Sequence, residues 1–514
     1  MAGGSAAHAA LAVRMTGIHK RFGAVAANAD VDLAVQAGTV HGLVGENGAG
    51  KSTLMSVLYG FYQADSGSIE VLGKPATIRN ADDAIALGIG MVHQHFMLVD
   101  TLTALENVML GAEPHWLLRR ADAQVRGKLQ ALMQSTGLHV ALDVLVCDLP
   151  VGDRQRLEIL KALYRGARIL ILDEPTAVLT PQETEQLFDV LRLLRQQGTT
   201  IVLITHKLKE VMRLCDHVTV MRAGRVVHEL PIAQASVEGL AEAMVGRKVH
   251  MGRVDEVTLA PTDILLQATD ITVRDALNVV RLSGLNLTLR SGEIVGVAGV
   301  SGNGQSELLD VLSGLLQPTS GLLQIGEDTF DASNPLDPLK ARALGLAHVP
   351  EDRHARAMVM DFVAWESAVL GYDGLAEYAS GGWMNHGTMR QATANMMERF
   401  DVRPRDPELL SRSFSGGNQQ KLVLARELGQ RPKVLLVGQP TRGVDIGAIE
   451  FIYAQLRAMR DAGCAVLVVS SELDEILALS NRVIVMNQGR VTGELAIEKC
   501  TEASLGLLMV GDAT

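Results

Sequence analysis

The glycine-rich stretch from residue 45 to residue 53 constrains the fold of this chain more than any other segment. It matches the pattern G-x-x-x-x-G-K-[ST] in full and reads Gly45, Glu46, Asn47, Gly48, Ala49, Gly50, Lys51, Ser52 and Thr53. The apolar run 42–44 precedes it and the apolar segment 54–58 follows it, so the sequence predicts a strand, a tight loop and a helix in that order. An ordinary glycine-rich turn is the alternative, and the complete match between two suitable flanks disfavours it.

A loop of this type is suited to bind phosphate. Its glycines let backbone N–H groups turn inward around phosphate oxygens, and the helix N-terminus adds partial positive charge. In such a loop Lys51 contacts the β- and γ-phosphates, and the Ser52 hydroxyl ligates Mg²⁺. The stretch therefore predicts a nucleotide-binding site.

Two acidic residues follow an apolar run further along the chain. Four aliphatic residues, 169–172, lead directly into Asp173 and Glu174, and a strand that ends in acids is the usual partner of a phosphate loop. We expect Asp173 to hold Mg²⁺, directly or through water, and Glu174 to polarise the attacking water. Two solvated acids at the start of a loop are the weaker alternative, because Lys51 lies upstream.

Two further residues each allow two interpretations. His206 follows the apolar run 200–204; a lone histidine is usually structural, but one at a strand end beside a phosphate site is suited to bind the γ-phosphate. Phe22 lies 29 residues before Lys51, where an exposed ring could stack on adenine, although packing is the more common role for such a residue. His93 and His95 have no third ligand nearby and do not predict a metal site.

Length, charge and composition narrow the functional classes. With 514 residues the chain is too long for one core, and its net charge of −11 without a basic stripe argues against nucleic acid as the main partner. Although 47% of the residues are hydrophobic, no apolar run approaches the roughly 18 residues of a membrane span. Residues 1–12 lack a signal-peptide pattern, and four isolated cysteines predict neither disulfides nor a zinc site, so a reducing cytoplasm is the expected location.

The chain contains a repeat whose period is a whole domain. Segment 40–48 recurs as 294–302, 254 residues later, and segment 169–176 recurs as 434–441, 265 residues later. A polar stretch near residues 246–262 separates the two copies. We therefore predict two copies of one nucleotide-binding domain, residues 1–254 and residues 255–514.

A motif in the second copy carries a family resemblance. It reads Phe414, Ser415, Gly416, Gly417, Asn418, Gln419, Gln420 and Lys421. Together with the phosphate loop and the acidic pair, it resembles the LSGGQ signature of the ATP-binding subunits of ABC transporters, and the resemblance covers almost the whole chain. A fused pair with SGGNQQK in its second half is similar to the importers of simple sugars and nucleosides. The runs 91–100 and 439–443 are more similar to the nucleoside branch.

The resemblance implies an α/β fold with two tandem P-loop domains of ABC type, each with a core α/β sheet and a helical subdomain, near residues 95–150 and 353–412. It implies ATP and Mg²⁺ as ligands, Gln94 as the residue that faces the metal and the permease contact, and His206 as the switch histidine. Phe22 becomes the residue that stacks on adenine. The signature residues that would contact the nucleotide are Ser415, Gly416, Gly417, Asn418 and Gln419.

The implied partners are two transmembrane permease subunits and, indirectly, an extracytoplasmic solute-binding protein. A chain of this family would lie peripherally on the cytoplasmic face of the plasma (inner) membrane. No nucleic acid is expected among its partners.

The two copies depart from the family pattern in complementary ways. In the second copy, the residues at the positions of Phe22, Lys51, Gln94, Asp173, Glu174 and His206 are Ala276, Gln305, Glu351, Gly438, Gln439 and Ser471. The first copy keeps those residues, but Pro150 and Val151 stand where its signature needs serine and glycine. Proline has neither the N–H nor the hydroxyl that would contact a γ-phosphate.

In this family each ATP lies between the phosphate loop of one domain and the signature of the other. Under that geometry the intact motifs of both copies belong to one site, and all the defects belong to the other. We therefore expect one hydrolytic site and one degenerate site that holds nucleotide weakly or not at all.

Competing functions remain open at this point. A pentose or hexose importer is the alternative to a nucleoside importer. A twin-domain factor acting on ribosomes is disfavoured, because such proteins generally keep two competent sites and a long, charged linker. A DNA-repair ABC protein would add cysteine-rich modules, and a small-molecule kinase would explain neither the duplication nor the SGGNQQK segment.

Overall fold

The computed structural model describes residues 10–23, 25–93, 96–112, 122–176, 179, 181–248, 262–300, 302–444 and 446–510. The chain divides into two compact units, residues 1–249 and residues 250–514. The predicted boundary at residue 254 lies among residues 249–261, outside the described part of the chain, so its exact place stays a prediction.

The first unit alternates strands and helices in the order expected of an α/β domain. Its elements are β1 (Leu11–Phe22), β2 (Val25–Gln36), β3 (Val40–Gly45), α1 (Lys51–Leu58), β4 (Ser66–Val71), β5 (Lys74–Ala76), α2 (Ala81–Ala86), β6 (Ile89–Val92), α3 (Ala104–Met109), α4 (Asp122–Thr136), α5 (Val151–Tyr164), β7 (Ile169–Asp173), α6 (Pro181–Gln196), β8 (Thr200–Ile204), α7 (Leu208–Leu214), β9 (His217–Arg222), β10 (Arg225–Pro231) and α8 (Val237–Val245). Short 3₁₀ turns cover Val146–Asp148 and Ile232–Gln234.

Over the residues that the structure describes, the second unit repeats this order and has in addition a short helix and a hairpin. Its elements are β11 (Ile264–Arg274), β12 (Val280–Arg290), β13 (Ile294–Ala298), α9 (Gln305–Leu312), β14 (Ser320–Ile325), β15 (Asp328–Phe330), α10 (Pro338–Ala343), β16 (Leu346–Val349), α11 (Arg353–Arg356), α12 (Ala364–Val369), β17 (Ala379–Ser380), β18 (Trp383–Met384), α13 (His386–Arg399), α14 (Gly416–Gly429), β19 (Val434–Gly438), α15 (Ile446–Asp461), β20 (Ala465–Ser470), α16 (Leu473–Leu479), β21 (Arg482–Asn487), β22 (Arg490–Ala496) and α17 (Glu502–Val510). Further 3₁₀ turns cover Ser411–Ser413 and Ile497–Lys499.

The two units share one sheet topology. The larger sheet has the order β10-β9-β3-β8-β7-β6 in the first unit and β22-β21-β13-β20-β19-β16 in the second, which is the same arrangement. The smaller sheets, β2-β1-β4-β5 and β12-β11-β14-β15, also correspond. The repeat read from the sequence is therefore a repeat of complete folding units.

Both faces of each larger sheet are covered, which explains why its strands read as continuous apolar runs. In β19, Leu435 and Val437 belong to a core with α14 and α15, whereas Val434 and Leu436 belong to a core with α9 and the antiparallel sheet. Successive side chains of a strand point to opposite faces, so alternate residues enter different cores. The carboxyl ends of these buried strands carry the candidate site residues.

The predicted helical segments also occur. Among the described residues, the helical subdomain expected near residues 95–150 contains α3, α4 and a 3₁₀ turn, and the one expected near residues 353–412 contains α11, α12 and α13. Across the described ranges, none of the helices combines the length and the apolar character needed to cross a lipid bilayer.

Candidate nucleotide-binding sites

Three neighbouring parallel strands of the first unit end at one edge of the sheet. The strands β3, β8 and β7 are adjacent in that order, and their last residues are Gly45, Ile204 and Asp173. The phosphate loop, the acidic pair and His206 follow these ends directly. A crevice at the carboxyl ends of parallel strands is the usual place for a ligand in such a sheet.

The phosphate loop enters α1 through a glycine that no other residue can replace without strain. Gly50 has a φ of 97°, and a Cβ there would lie 2.2 Å from the Ala27 carbonyl oxygen. The fully buried side chain of Asn28 donates from Nδ2 to the Gly50 carbonyl oxygen at 3.1 Å. A single buried amide of β2 thus holds the end of the loop, and the second unit has Leu282 at this position.

The side chain of Lys51 folds back into the phosphate loop. Its Nζ donates to the Gly45 carbonyl oxygen at 2.7 Å and to the Glu46 carbonyl oxygen at 3.0 Å. Burial lowers the pKa of Lys51, while the negative charges of Glu174, Asp173 and Glu46 oppose that effect. A partly desolvated ammonium group of this kind attracts a polyphosphate strongly.

Asp173 is buried next to the start of α1. The Ser52 hydroxyl lies close enough to lower the pKa of Asp173, so the two predicted metal ligands are neighbours. Burial raises the pKa of Asp173, and the charge of Glu174 adds to this, whereas Ser52 and Lys51 act in the opposite direction. A hydroxyl beside a carboxylate suits Mg²⁺, which takes oxygen ligands and usually binds through one or two carboxylates plus phosphate oxygens. The chemistry of this donor set therefore fits the metal.

Glu174 and His206 form the second functional pair. The His206 Nδ1 lies 2.8 Å from the Glu174 Oε1. Burial by itself would raise the pKa of Glu174, but the hydrogen bond and charge of His206, together with the charges of Lys51 and Lys207, outweigh it and lower the pKa. Glu174 is thereby kept as a carboxylate, the form that accepts a proton or a hydrogen bond from water.

The Glu174 side chain is aimed by an unusual backbone conformation. Its φ is 47°, in the left-handed region, and its N–H donates to the Ile204 carbonyl oxygen at 2.9 Å. Left-handed conformations in residues other than glycine are uncommon and concentrate at functional positions.

The predicted adenine-stacking residue is exposed. Phe22 ends β1 with 44% of its surface accessible, and its ring meets the Tyr62 ring edge-on with 5.1 Å between centroids. The Lys20 ammonium lies 5.6 Å from the Phe22 centroid. Tyr62 thus supports the ring from one side, a contact that the sequence did not predict.

The other predicted residues of the phosphate loop lie in the turn or at the start of α1. Glu46, Asn47, Gly48 and Ala49 form the turn, and Ser52 and Thr53 lie in the first turn of α1. Gln94 and His95 lie outside the described residues, so the role of Gln94 stays a prediction.

The second unit has the same loop without its cation. Gln305 occupies the position of Lys51, and its Nε2 donates to the Val300 carbonyl oxygen at 3.1 Å. The Ser306 hydroxyl, which corresponds to Ser52, donates to the Glu351 Oε2 at 2.6 Å. A neutral amide therefore takes over the lysine's contact with this carbonyl position of the loop but not its charge.

The counterpart of the Glu174–His206 pair keeps its geometry. Gln439 has a φ of 47°, and its N–H donates to the Val469 carbonyl oxygen at 2.7 Å. Its Oε1 accepts from the Ser471 hydroxyl at 3.1 Å. A carboxylate and an imidazole have been replaced by an amide and a hydroxyl on the same backbone.

The signature of the second unit forms the start of α14. Ser415 is the residue before the helix and is exposed, and the Asn418 Nδ2 donates to its hydroxyl oxygen at 2.9 Å. Gln419 is buried: its Nε2 donates to the Ser411 carbonyl oxygen at 3.1 Å, and the His354 Nε2 lies 2.9 Å from its Oε1. Asn418 thus orients the serine hydroxyl, and Gln419 anchors the helix inside its own unit.

The corresponding segment of the first unit lacks these groups. Helix α5 begins after Pro150, and Val151 is exposed at its first turn. Arg154, at the position of Gln419, donates from Nε to the Leu149 carbonyl oxygen at 3.0 Å. The helix start is held in place, but it presents no hydroxyl at the position of Ser415.

A groove of about 270 Å³ lies beside β6 in the first unit. Its apolar lining includes Phe61, Ile85 and Met97, and its charged lining includes Glu158 and Lys161. The Lys161 Nζ donates to the Met97 carbonyl oxygen at 2.7 Å, and burial raises the pKa of Glu158.

The second unit fills the equivalent place with its own side chains. Arg342, at the position of Ile85, lies over the ring of Tyr372 at 4.7 Å from its centroid. The Tyr372 hydroxyl donates at 2.7 Å to the Oε2 of Glu427, which stands where the first unit has Ala162. The two units therefore differ in this surface as well as in their nucleotide sites.

Fold and sites together define a protein with two tandem P-loop domains, one of which carries a lysine, an acidic pair and a histidine around its phosphate loop. The family model of the ABC transporter matches residues 29–177 and 282–442. The chain belongs to the ABC transporter family of ATP-binding proteins. Membership confirms the predicted pair of ABC-type domains, ATP as a ligand and ATP hydrolysis as the activity.

Several relatives match along almost their whole length. A nucleoside import ATP-binding protein of Lactococcus lactis is 42% identical over 499 residues, which cover 97% of this chain and 98% of the relative. A guanosine import ATP-binding protein of Bacillus subtilis is 43% identical over 499 residues, covering 97% of each. A glucose import ATP-binding protein of Haloferax volcanii is 41% identical over 535 residues, covering 98% of this chain and 96% of the relative.

Among solved structures, the archaeal ribosome recycling factor in complex with a ribosomal stalk protein aligns with a TM-score of 0.64. The alignment covers 96% of this chain and 92% of that chain at 18% identity. At this identity the likeness shows the fold alone and does not favour a ribosomal role.

Proposed function

We propose that this protein is the ATP-hydrolysing, energy-coupling subunit of an importer for nucleosides. The observation that carries the proposal is the asymmetry of the two units. The first has Lys51, Asp173 and the Glu174–His206 pair around one phosphate loop, and the second has the complete signature beginning at Ser415.

In this proposal one competent site combines the phosphate loop of the first unit with the signature of the second. Lys51 neutralises the β- and γ-phosphates, and the Ser415 hydroxyl and the start of α14 contact the γ-phosphate. Mg²⁺, held by Ser52 and Asp173 and by Gln94 as predicted, would supply charge neutralisation on the phosphate oxygens. The remaining groups of the phosphate loop enclose the polyphosphate.

The hydrolytic step depends on the Glu174–His206 pair. The Glu174 carboxylate accepts a hydrogen bond from a water molecule and orients it in line with the γ-phosphorus. His206 fixes the Glu174 side chain through the 2.8 Å contact and faces the transferred phosphoryl group. The two side chains hold each other in place, so little reorganisation accompanies the reaction.

The other site would combine the phosphate loop of the second unit with the signature of the first. Gln305 brings no positive charge, Gln439 cannot act as a base, and Pro150 brings no hydroxyl. We infer that this site does not hydrolyse ATP.

The solute is inferred from the relatives. Two of those at 42% and 43% identity are named for nucleoside and guanosine import, which supports a nucleoside. The glucose import protein of Haloferax volcanii at 41% identity favours a simple sugar as the second candidate. The solute itself would bind to an extracytoplasmic binding protein and to the permease rather than to this chain.

Two transmembrane permease subunits complete the proposed transporter, and this chain associates with them at the cytoplasmic face of the inner membrane. We propose that a cytoplasmic loop of one permease enters the groove beside β6 in the first unit. The groove offers apolar side chains next to Glu158 and Lys161, and its lining includes His93 and Met97 on either side of the segment that contains Gln94. A permease loop bound there would contact the segment that contains Gln94, so its binding would depend on whether the nucleotide site is occupied.

The first test uses the chain as bait in a detergent extract of its own membranes. We expect two hydrophobic permeases to co-purify, and we expect the ATPase of the complex with its binding protein to rise with a purine nucleoside and not with ribose. Stimulation by a sugar alone would replace the solute and keep the transporter. Recovery of ribosomes without permeases would overturn the proposal.

The docking groove is tested with a matched pair of variants. Phe61 is 50% exposed in the groove, and Leu315, at the equivalent position of the second unit, is 54% exposed. Phe61→Asp should abolish co-purification of the permeases while ATP binding is kept, and Leu315→Asp should not. Equal effects of the two variants would refute docking in this groove.

A further inference from the structure

We propose that Glu351 is the metal ligand of the second phosphate-loop site and that this site binds a magnesium–nucleotide complex without hydrolysing it. The inference rests on the proposed function, since it assigns a role to the site that lacks the hydrolytic groups. The starting observation is that the carboxylate of Glu351 lies beside the loop hydroxyl of the second unit, as the carboxylate of Asp173 does in the first.

In the first unit, the Ser52 hydroxyl at the start of α1 neighbours Asp173, the acid that ends β7, and lowers its pKa. In the second unit, the equivalent hydroxyl of Ser306 contacts the Glu351 Oε2 at 2.6 Å. Glu351 comes from the end of β16, the position of Gln94, and not from the end of β19. The hydroxyl–carboxylate pair thus recurs in space although the acid has moved in the sequence.

Gly438 makes room for this replacement. It stands at the position of Asp173, and a Cβ on it would lie 2.5 Å from the Glu351 Cγ and 2.9 Å from the Glu351 backbone nitrogen. Its φ is not among the left-handed values of the chain, so glycine is required here for space rather than for backbone conformation. The loss of the aspartate and the inward position of Glu351 are therefore two parts of one exchange.

The surroundings suit a hydrated divalent cation. A cavity of about 90 Å³ lies against Glu351 and is lined also by Gln305, Ser306, Gln439 and Arg442. This leaves room for several water molecules beside a cation. Mg²⁺ typically keeps several waters and binds through one or two carboxylates plus the phosphates of a nucleotide. One carboxylate and one hydroxyl beside a phosphate loop meet that requirement.

The charge balance favours a nucleotide that carries its metal. Gln305 brings no positive charge where Lys51 stands in the first unit, so the carboxylate of Glu351 faces the cavity with Arg442 as the cation among its lining residues. Arg442 attracts a triphosphate with or without a metal, whereas Glu351 repels a metal-free triphosphate and attracts one that carries Mg²⁺. Binding without hydrolysis follows because Gln439 and Ser471 replace the base and its histidine.

The proposal is tested by counting bound Mn²⁺ by electron paramagnetic resonance in the full chain, with the non-hydrolysable analogue AMPPNP present. The wild type should hold two Mn²⁺ per chain, and Lys51→Ala, which weakens the first site, should hold one. Adding Glu351→Gln to Lys51→Ala should weaken the remaining Mn²⁺ binding by roughly tenfold or more. Glu327→Gln, an exposed carboxylate of the same unit, should have no effect.

If Glu351 only blocks the site, Glu351→Gln should strengthen nucleotide and Mn²⁺ binding at the second site instead of weakening it. The proposal would be overturned if Lys51→Ala/Glu351→Gln bound nucleotide as tightly as Lys51→Ala or more tightly. The absence of any second Mn²⁺ in the wild type would overturn it as well. A variant that returns the acid to its first-unit position, Gly438→Asp/Glu351→Ala, should recover Mn²⁺ binding, while Gly438→Asp alone should not, because the new Cβ meets Glu351.

The ATPase distinguishes this failure from failure of the proposed function. Turnover that survives Glu174→Gln would refute the hydrolytic site and leave the Mn²⁺ count untouched. A missing second metal with Glu174-dependent turnover would refute only the role of Glu351.

Discussion

Replacing Glu174 by glutamine is the sharpest test of the hydrolytic pair. The change removes one negative charge and keeps the shape of the side chain, so the backbone turn at this position should survive. The second unit supplies an internal precedent, because Gln439 has the same φ of 47° and uses its Oε1 to accept from Ser471. We therefore expect Glu174→Gln to fold and to keep the contact with His206.

The magnitude follows from what the carboxylate does. A positioned general base contributes about 100- to 10,000-fold to a rate, so kcat for ATP hydrolysis should fall by about that factor. ATP affinity should not fall, because Lys51 and the phosphate loop are untouched and removing a negative charge near the γ-phosphate only lessens repulsion. Steady-state phosphate release by the purified transporter and equilibrium binding of ATP measure the two quantities separately.

A matched variant in the second unit controls the experiment. Gln439→Glu restores the acid on an equivalent backbone, but Gln305 still supplies no cation, so the rate should stay within about twofold of the wild type. The reasoning fails if Glu174→Gln keeps more than about a tenth of the rate while ATP binding is intact. It also fails if the two variants lose activity equally.

Three further predictions concern groups that support the site. His206→Ala removes the hydrogen bond that lowers the pKa of Glu174, so burial should then raise that pKa and move the acid limb of the pH–rate profile to higher pH; an unmoved limb would contradict this. Asn28→Leu, which copies the second unit, removes one buried hydrogen bond and should lower the free energy of unfolding by about 1 kcal/mol; because the loop end is then held less firmly, ATP binding should weaken by about three- to tenfold in a titration, and unchanged binding would contradict this. His354→Ala frees one end of the signature helix and should lower kcat by about three- to tenfold without changing ATP affinity in the isolated chain; a change confined to affinity would argue against a positioning role.

Much of the candidate site could be predicted because its motifs are local. The phosphate loop, the acids after β7 and the histidine after β8 each follow a buried strand, and parallel strands bring their carboxyl ends to one edge. The duplication was visible for the same reason, since both copies keep the apolar runs of their strands. The shared sheet orders agree with that prediction.

The contacts that escaped prediction join residues from distant parts of the chain. Asn28 meets the Gly50 carbonyl oxygen across 22 residues, and Ser306 meets Glu351 across 45 residues. No local pattern marks such pairs, because their proximity depends on how strands and turns fold back on one another. Glu351 could be recognised from the sequence only as a missing glutamine, whereas the structure shows a carboxylate in contact with the loop hydroxyl.

Glu210 is a second example of a group that pattern alone did not mark. It is buried on α7, and its Oε1 accepts from the Thr176 hydroxyl at 2.7 Å, which ties the segment after the acidic pair to the helix after His206. The second unit repeats the acid as Glu475, where burial raises the pKa to about 7. A buried acid in both units shows that this tie belongs to the fold and not to hydrolysis.

The left-handed turn after β7 has a consequence for how activity is distributed along this chain. A residue other than glycine in that conformation costs about 1–2 kcal/mol, and the second unit retains it at Gln439, where no base is left to aim. The turn is therefore imposed by the strand pairing around it, through the N–H bond to the neighbouring strand, and not by the reaction. If the second unit does not hydrolyse ATP, as we propose, its site keeps the same backbone, so exchanging side chains on that backbone should be enough to switch hydrolysis off or to restore it.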